Sequence, residues 1–154
     1  QKIIAFEIVS FVAAAACAII IAWYLDLAGM VPFAFLALVI TFNNFLAAVV
    51  VGPILVALLY PRVKRWGLVW TDIMDKDDVA AGFAKGLGAT LMTVAAVGGL
   101  IVGVLVATGA AGQQAFGFAG ESGKAAVWLV VLPFLILLVV SGVMLSGREQ
   151  FEEE

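Results

Sequence analysis

Residues 39–74, VITFNNFLAAVVVGPILVALLYPRVKRWGLVWTDIM, change character at Tyr60 and Pro61 and thereby decide the arrangement of the chain. The first half is apolar enough to lie in hydrocarbon, except for the adjacent amides Asn43 and Asn44. The second half carries cations and tryptophans, which favour the boundary between lipid and water. The stretch therefore predicts a membrane-spanning helix that leaves the bilayer close to Pro61.

The composition extends this prediction to the whole chain. Hydrophobic residues make up 65% of the 154 positions and charged residues 12%, and the charges lie at the chain ends and between long apolar runs. A helix needs about 20 apolar residues to cross a bilayer. We therefore predict an all-α integral membrane bundle that forms a single domain over residues 1–148, followed by an acidic tail over residues 149–154. The four predicted transmembrane helices are residues 3–24, 33–60, 86–111 and 125–146.

The lysine and arginine residues predict the orientation of the four spans. Seven of the eight lie at the N-terminus, in the connector 61–85 or at the C-terminus, and only Lys124 lies on the opposite side. Because cytoplasmic loops carry an excess of Lys and Arg, we expect both termini to be cytoplasmic and the bundle to lie in a prokaryotic plasma membrane. The connector also has apolar and basic residues at helical spacing, which predicts a short helix lying in the interface. Its membrane-interface residues are Arg62, Lys64, Arg65, Trp66 and Trp70.

Residue types that the sequence lacks exclude several classes of site. There is no histidine, and the single Cys17 lies within an apolar run, so imidazole-ligated metals, histidine-based catalysis and an internal disulfide are excluded within the chain. The sequence has no paired carboxylates within a span, no phosphate-binding glycine loop and no nucleophile with a base. We therefore expect no enzyme activity, no cofactor and no metal site. The net charge of −3 argues against nucleic acid as a partner.

Asn43 and Asn44 place two amides near the middle of the second span. Adjacent residues on a helix point about 100° apart, so one neighbouring helix cannot satisfy both. An unpaired amide in hydrocarbon is costly, so at least one of them needs a partner, a cavity or water. Three interpretations stay open: hydrogen bonds between helices, a polar pocket for a small ligand or a step on a permeation path, and local unwinding of the helix.

Glu7 is the one carboxylate within a predicted span, about one turn from its cytoplasmic end. Its side chain can reach the interface or pair with Lys2 or Lys85. A proton-relay role is less favoured, because no second acid lies within a predicted span.

Small residues recur at every fourth position on the first and third spans. Small side chains let helices approach closely in lipid. The pattern predicts either that these two helices pack against each other within the bundle or that one stripe docks another subunit. The stripes are Ser10, Ala14, Ala18 and Ala22 on the first span, and Ala95, Gly99, Gly103, Ala107 and Ala111 on the third.

The segment FNNFLAAVVVGPILVALLYPRVKRWGLVWTDIM, residues 42–74, resembles membrane proteins grouped with the substrate-binding (S) components of energy-coupling-factor transporters. The resemblance rests on NN, on GP, and on YPRVKRWG followed by WTDIM. It implies a subunit that binds a vitamin or a metal ion and docks on a transmembrane coupling subunit and two ATPases. It also implies that Ala14, Ala18 and Ala22 serve the small-residue packing of the first helix. S components usually have six spans, whereas this chain has four predicted ones.

Two functions fit these features. The first is a transport subunit that binds a small-molecule solute in a pocket lined by Asn43, Asn44 and Trp23. The second is a non-catalytic accessory subunit of a respiratory, photosynthetic or oxidase complex, which the small-residue stripes and the lack of reactive side chains favour. Both make the chain one subunit of a larger assembly, with the lipid bilayer and other membrane subunits as partners. A self-assembling channel is less favoured, because no amphipathic pore-lining face is evident.

Overall fold

The computed structural model describes residues 2–73, 83–110 and 122–146. Within these ranges all the regular structure is helical, and four helices are long and apolar enough to cross a membrane, which confirms the predicted all-α membrane bundle. Their outward surfaces are rich in exposed Ile, Leu, Val and Phe, as contact with lipid requires. The helices are α1 (Lys2–Leu27), α2 (Phe33–Arg65), α3 (Trp70–Ile73), α4 (Phe83–Ala107) and α5 (Ser122–Leu145).

Glycines in the left-handed conformation end the first two helices. Gly29, with φ of 72°, follows α1, and the N–H of Met30 bonds to the carbonyl of Leu25 at 2.9 Å. Gly67, with φ of 65°, follows α2, and the N–H of Leu68 bonds to a carbonyl five residues earlier in the same way. Both are Schellman motifs, which a residue with a Cβ adopts poorly. These two positions therefore set where the chain turns.

The second helix runs five residues past its predicted end at Tyr60. Pro61 lies inside the helix rather than after it. A proline within a helix removes one backbone hydrogen bond, but residues on either side can continue the helical path. Here the Arg65 Nε donates to the Pro61 carbonyl at 3.3 Å, and the turn at Gly67 supplies the actual stop. The helix thus extends five residues into the predicted connector 61–85.

Contacts between the helices show an up-and-down arrangement. The Phe6 ring packs on Gly52, and the rings of Phe11 and Phe45 meet edge to face with centroids 5.2 Å apart, so α1 and α2 are antiparallel. In α4 and α5, Gly88 faces the Leu145 side chain. We call the end that holds the cations of α2 the basic end, and the opposite end the Asp26 end. Those cations are Arg62, Lys64 and Arg65.

Small side chains occupy much of the centre of the bundle. Gly99 of α4 lies against Ile19 of α1 and Phe134 of α5, and Gly103 lies against Phe33 of α2 and Val131 of α5. The bundle thus uses the stripe on α4 to contact three helices rather than α1 alone. Ala14, Ala18, Ala22, Ala95, Gly99 and Gly103 are buried, Ser10 is half-buried, Ala107 is exposed, and Ala111 lies outside the described residues.

The second helix lies at the edge of this bundle. Within its most apolar stretch only 11% of the residues are buried, compared with 28% for α4. Its buried residues are Phe33, Ala37, Thr41 and Gly52, which all belong to one side of the helix. The opposite side of α2 therefore faces away from the described part of the chain.

Candidate functional site

Asp26, near the end of α1, is a buried acid whose two carboxylate oxygens both accept hydrogen bonds. Its side chain is 8% exposed. One carboxylate oxygen, Oδ1, accepts a hydrogen bond from the backbone N–H of Phe33 at 3.0 Å, and Oδ2 accepts one from the indole Nε1–H of Trp128 at 2.8 Å. The carboxylate thereby joins α1, the first turn of α2 and α5.

The bond to Phe33 replaces a helix cap that the local sequence does not supply. The N-cap position of α2 is Pro32, whose side chain makes no capping bond. Asp26 comes from the preceding helix and satisfies one of the free N–H groups of the first turn. A carboxylate also interacts favourably with the positive end of the helix dipole. The same residue therefore stabilises the start of α2 and holds its own oxygens in a fixed position.

Trp23 and Trp128 complete this network. Trp23 lies about one turn before Asp26 on α1. Its Nε1–H donates to the backbone carbonyl of Trp128 at 3.2 Å. Both indole N–H groups are thus satisfied in a half-buried position near the end of the bundle, where tryptophan is favoured in membrane proteins. The two rings fix the relative rotation of α1 and α5 beside the carboxylate.

A cavity of about 320 Å³ lies next to this network, and we call it the Asp26 cavity. This volume is at the lower end of the range for small-ligand sites. Apart from Asp26, most of its side chains are apolar. The lining comprises Asp26, Gly29, Met30, Val31, Pro32, Phe33, Ala34, Val106, Ala107 and Val127.

The Asp26 carboxylate has capacity left for a ligand. An ionised carboxylate offers about four acceptor positions, and the described donors use two of them. Both donors are neutral groups. Among the described residues no basic side chain pairs with Asp26, and the cations of α2 lie at the opposite end of the bundle. Within the described residues, the cavity therefore combines an apolar wall with one positioned acidic group that has no basic partner among them.

The structure does not bring the three predicted ligand residues together. Asn43 and Asn44 are exposed on α2, and neither side chain bonds to another described residue. From the register set by Phe11 and Phe45, Trp23 lies level with the start of α2, about 15 Å along the helix axis from Asn43. None of the three lines the Asp26 cavity. A ligand role for the two amides stays a prediction.

Glu7 lies beside a second cavity, of about 330 Å³, near the basic end. Phe11, Phe45 and Thr93 are among its lining residues. Both carboxylate oxygens of Glu7 are buried, and no described group bonds to them. The Thr93 hydroxyl is already used, because it donates to the Ala89 carbonyl at 2.9 Å. The side chains of Lys2 and Lys85, the predicted partners of Glu7, lie outside the described residues.

The predicted interface residues lie at and beyond the end of α2. Arg62, Lys64 and Arg65 occupy its last turn and are exposed, which suits cations at the negative end of a helix dipole. Trp66 follows in the turn and is 67% exposed. Trp70 begins the four-residue helix α3, and its side chain lies outside the described residues.

Asp26 lies between the first two predicted spans and was not among the predicted site residues. The available signal was an acid placed directly after the Trp23 and Tyr24 pair at the end of an apolar run. Comparison of the chain with protein-family models, curated proteins and solved structures finds no match.

Proposed function

We propose that this chain is the solute-binding subunit of a membrane transport system and that the Asp26 cavity holds the solute. The observation that carries the proposal is the buried carboxylate on the wall of a cavity large enough for a small molecule. Buried acids in membrane proteins are costly unless they are used, and they often mark the path of a substrate or an ion. Asp26 is held by Trp128 and Phe33 before any ligand arrives, so little ordering is needed on binding.

The lining indicates the chemistry of the solute. The carboxylate has acceptor positions left and no described cation, so it favours a solute with an ammonium or another strong donor. The remaining wall, with Val31, Phe33 and Val127, favours an apolar body next to that donor. The solute class we propose is therefore a small organic cation or amine of at most about the cavity volume.

The charge distribution supports an orientation for this site. In the sequence, seven of the eight Lys and Arg residues fall at the chain ends or between the second and third spans, which a four-span topology assigns to the side of the basic end, and this bias favours a cytoplasmic position for it. We infer that both termini and the interface residues from Arg62 to Trp66 are cytoplasmic. The Asp26 cavity then opens on the outer side of the membrane, where an uptake system meets its solute.

The test is to identify the small molecules that remain bound to the protein when it is purified from its native membrane. Wild type, Asp26→Asn and Trp128→Phe are purified in mild detergent, and released small molecules are identified by mass spectrometry. We expect an amine or organic cation with wild type, a smaller amount with Trp128→Phe, which removes one bond to the carboxylate but keeps its charge, and at least a tenfold loss with Asp26→Asn. Asp72→Asn is the matched control, because Asp72 is an exposed carboxylate near the opposite end. No bound solute in wild type, or equal loss in Trp128→Phe, would contradict the proposal.

The second candidate function is a non-catalytic accessory subunit of a respiratory, photosynthetic or oxidase complex. The exposed amides Asn43 and Asn44 favour it, because a polar side chain facing out of a bundle at mid-membrane depth is typical of a helix with a partner. Proteins that co-purify from native membranes separate the two functions. A coupling subunit with two ATPases, as the resemblance to energy-coupling-factor S components implies, supports transport, whereas electron-transfer subunits support the accessory role.

A further inference from the structure

We propose that two copies of this chain associate in the membrane as a parallel pair through the outer face of α2, with Asn43 of one copy hydrogen-bonded to Asn43 of the other. This inference does not depend on the proposed solute site, which lies at the Asp26 end. It rests on the exposure of one face of α2, on the spacing of its residues and on the chemistry of the amide.

The outer face of α2 carries a regular seam. Successive steps of four, three and four residues lead from Val39 through Asn43 and Leu46 to Val50, which is the spacing of the contact positions in a coiled coil. All four side chains are exposed, with Val39, Leu46 and Val50 at 46%, 47% and 57%. The next contact position is Pro53, which is half-buried, so the seam as we define it covers residues 39–50.

Asn43 is the polar member of this seam and has no hydrogen-bond partner among the described residues of its own chain. It lies 200° around the helix from the buried Thr41, and its amide bonds to no described residue. Ten residues separate it from Phe33, so it lies about 15 Å into a hydrocarbon layer about 30 Å thick. Water does not reach that depth on a lipid-facing surface, so the amide needs a polar group from another chain.

A second copy supplies that group without any further assumption. An amide is both a donor and an acceptor, so two asparagines can satisfy each other. All copies insert with the same orientation, and a twofold axis along the membrane normal puts identical residues at identical depth. Asn43 therefore meets Asn43. A single asparagine at such a position favours a two-stranded assembly in one register, which makes a pair the expected stoichiometry.

Asn44 provides a matched control within the same turn. It is an exposed amide at nearly the same depth, but it points about 100° away from Asn43 and lies outside the seam. Asn43→Leu and Asn44→Leu thus make the same chemical change inside and outside the proposed contact. Each removes an amide from an exposed apolar surface, so folding of the bundle is preserved in both.

The experiment is association of the full-length chain in liposomes at graded dilution, measured by single-molecule photobleaching. We expect two-step bleaching for wild type, a 3- to 15-fold weaker association, roughly, for Asn43→Leu, and wild-type behaviour for Asn44→Leu. One-step bleaching of wild type at all dilutions, or equal effects of the two substitutions, would overturn the proposal. Helical content measured by circular dichroism establishes that each variant is folded.

Oxidative cross-linking tests the geometry independently. In a Cys17→Ala background, Val50→Cys lies on the seam and Val51→Cys lies one residue off it, and both positions are exposed. A parallel pair brings the two Val50 positions within disulfide range, so we expect efficient cross-linking in membranes for Val50→Cys and little for Val51→Cys. Adding Asn43→Leu lowers the cross-linked fraction of Val50→Cys. Equal cross-linking at the two positions contradicts a contact along this seam.

Discussion

Asp26 caps the start of α2 and binds the indole of Trp128, and substitutions can separate these two roles. Replacement by alanine removes the acceptor for the Phe33 N–H and leaves the Trp128 indole N–H without its partner. Loss of two bonds to a carboxylate lowers the free energy of unfolding by roughly 2–4 kcal/mol. Trp128→Phe removes one of these bonds and costs roughly 1–2 kcal/mol. Reversible unfolding in mixed micelles measures both values, with Asp72→Asn as the reference substitution.

A double substitution tests whether Asp26 and Trp128 share a hydrogen bond. Because Asp26 and Trp128 contact each other directly, Asp26→Ala combined with Trp128→Phe costs less than the sum of the two single substitutions. Full additivity is the result that contradicts a shared hydrogen bond.

For Glu7 we expect a substitution that raises the free energy of unfolding, in contrast to those at Asp26 and Trp128. Both carboxylate oxygens are buried without a described hydrogen-bond donor, and an unsatisfied buried polar group costs about 1–3 kcal/mol. We therefore expect Glu7→Leu to raise the free energy of unfolding by a similar amount. The same denaturation assay measures this, and Glu7→Gln, which keeps a polar group of the same size, is the control. Destabilisation by Glu7→Leu contradicts the prediction and indicates a partner for the carboxylate.

The close approach of α2 and α5 to Gly103 of α4 predicts that Gly103→Ala lowers the stability of the bundle. A Cβ at this position would lie 2.5 Å from Phe33 Cε1 and 2.9 Å from Val131 Cγ2, so α2 or α5 must shift to admit it. Forcing an extra methyl into a packed core costs about 1–3 kcal/mol. Gly142→Ala is the control, because no atom lies within 4 Å of the new methyl, and alanine favours a helix more than glycine does. Equal stability of the two variants, measured by thermal unfolding in detergent, contradicts the proposed packing.

The helices themselves were largely predictable, whereas their contacts were not. Apolar runs long enough to cross a bilayer occur four times in the chain, and their length alone specifies the spans. The predicted span ended at Tyr60 because the sequence becomes cationic there, whereas the helix continues to Arg65 and ends at Gly67, whose φ is positive. Hydropathy also does not distinguish lipid-facing from protein-facing positions, since both are apolar in a membrane. The exposure of Asn43 could therefore not be predicted from the hydropathy of the sequence.

The position of the candidate site could not be predicted from the sequence either. Asp26 obtains its partner Trp128 from a helix 102 residues later, and no local periodicity relates the two positions. An acid and a tryptophan near the ends of separate spans are each common in membrane proteins. Only the antiparallel packing of the helices brings them together beside a cavity. The number of spans could thus be predicted from the sequence, whereas the position of the site could not.

The orientation of the bundle gives the last prediction and connects the site to a direction of transport. In a Cys17→Ala background, Met30→Cys lies at the Asp26 end and Trp66→Cys at the basic end, and both positions are highly exposed. If the excess of cations holds the basic end in the cytoplasm, a membrane-impermeant maleimide labels Met30→Cys in intact cells and labels Trp66→Cys only after permeabilisation. The inverse pattern would turn the Asp26 cavity toward the cytoplasm. Uptake of a solute through that cavity would then be excluded, although pairing through α2 would be unaffected, because a twofold axis along the membrane normal relates two copies in either orientation.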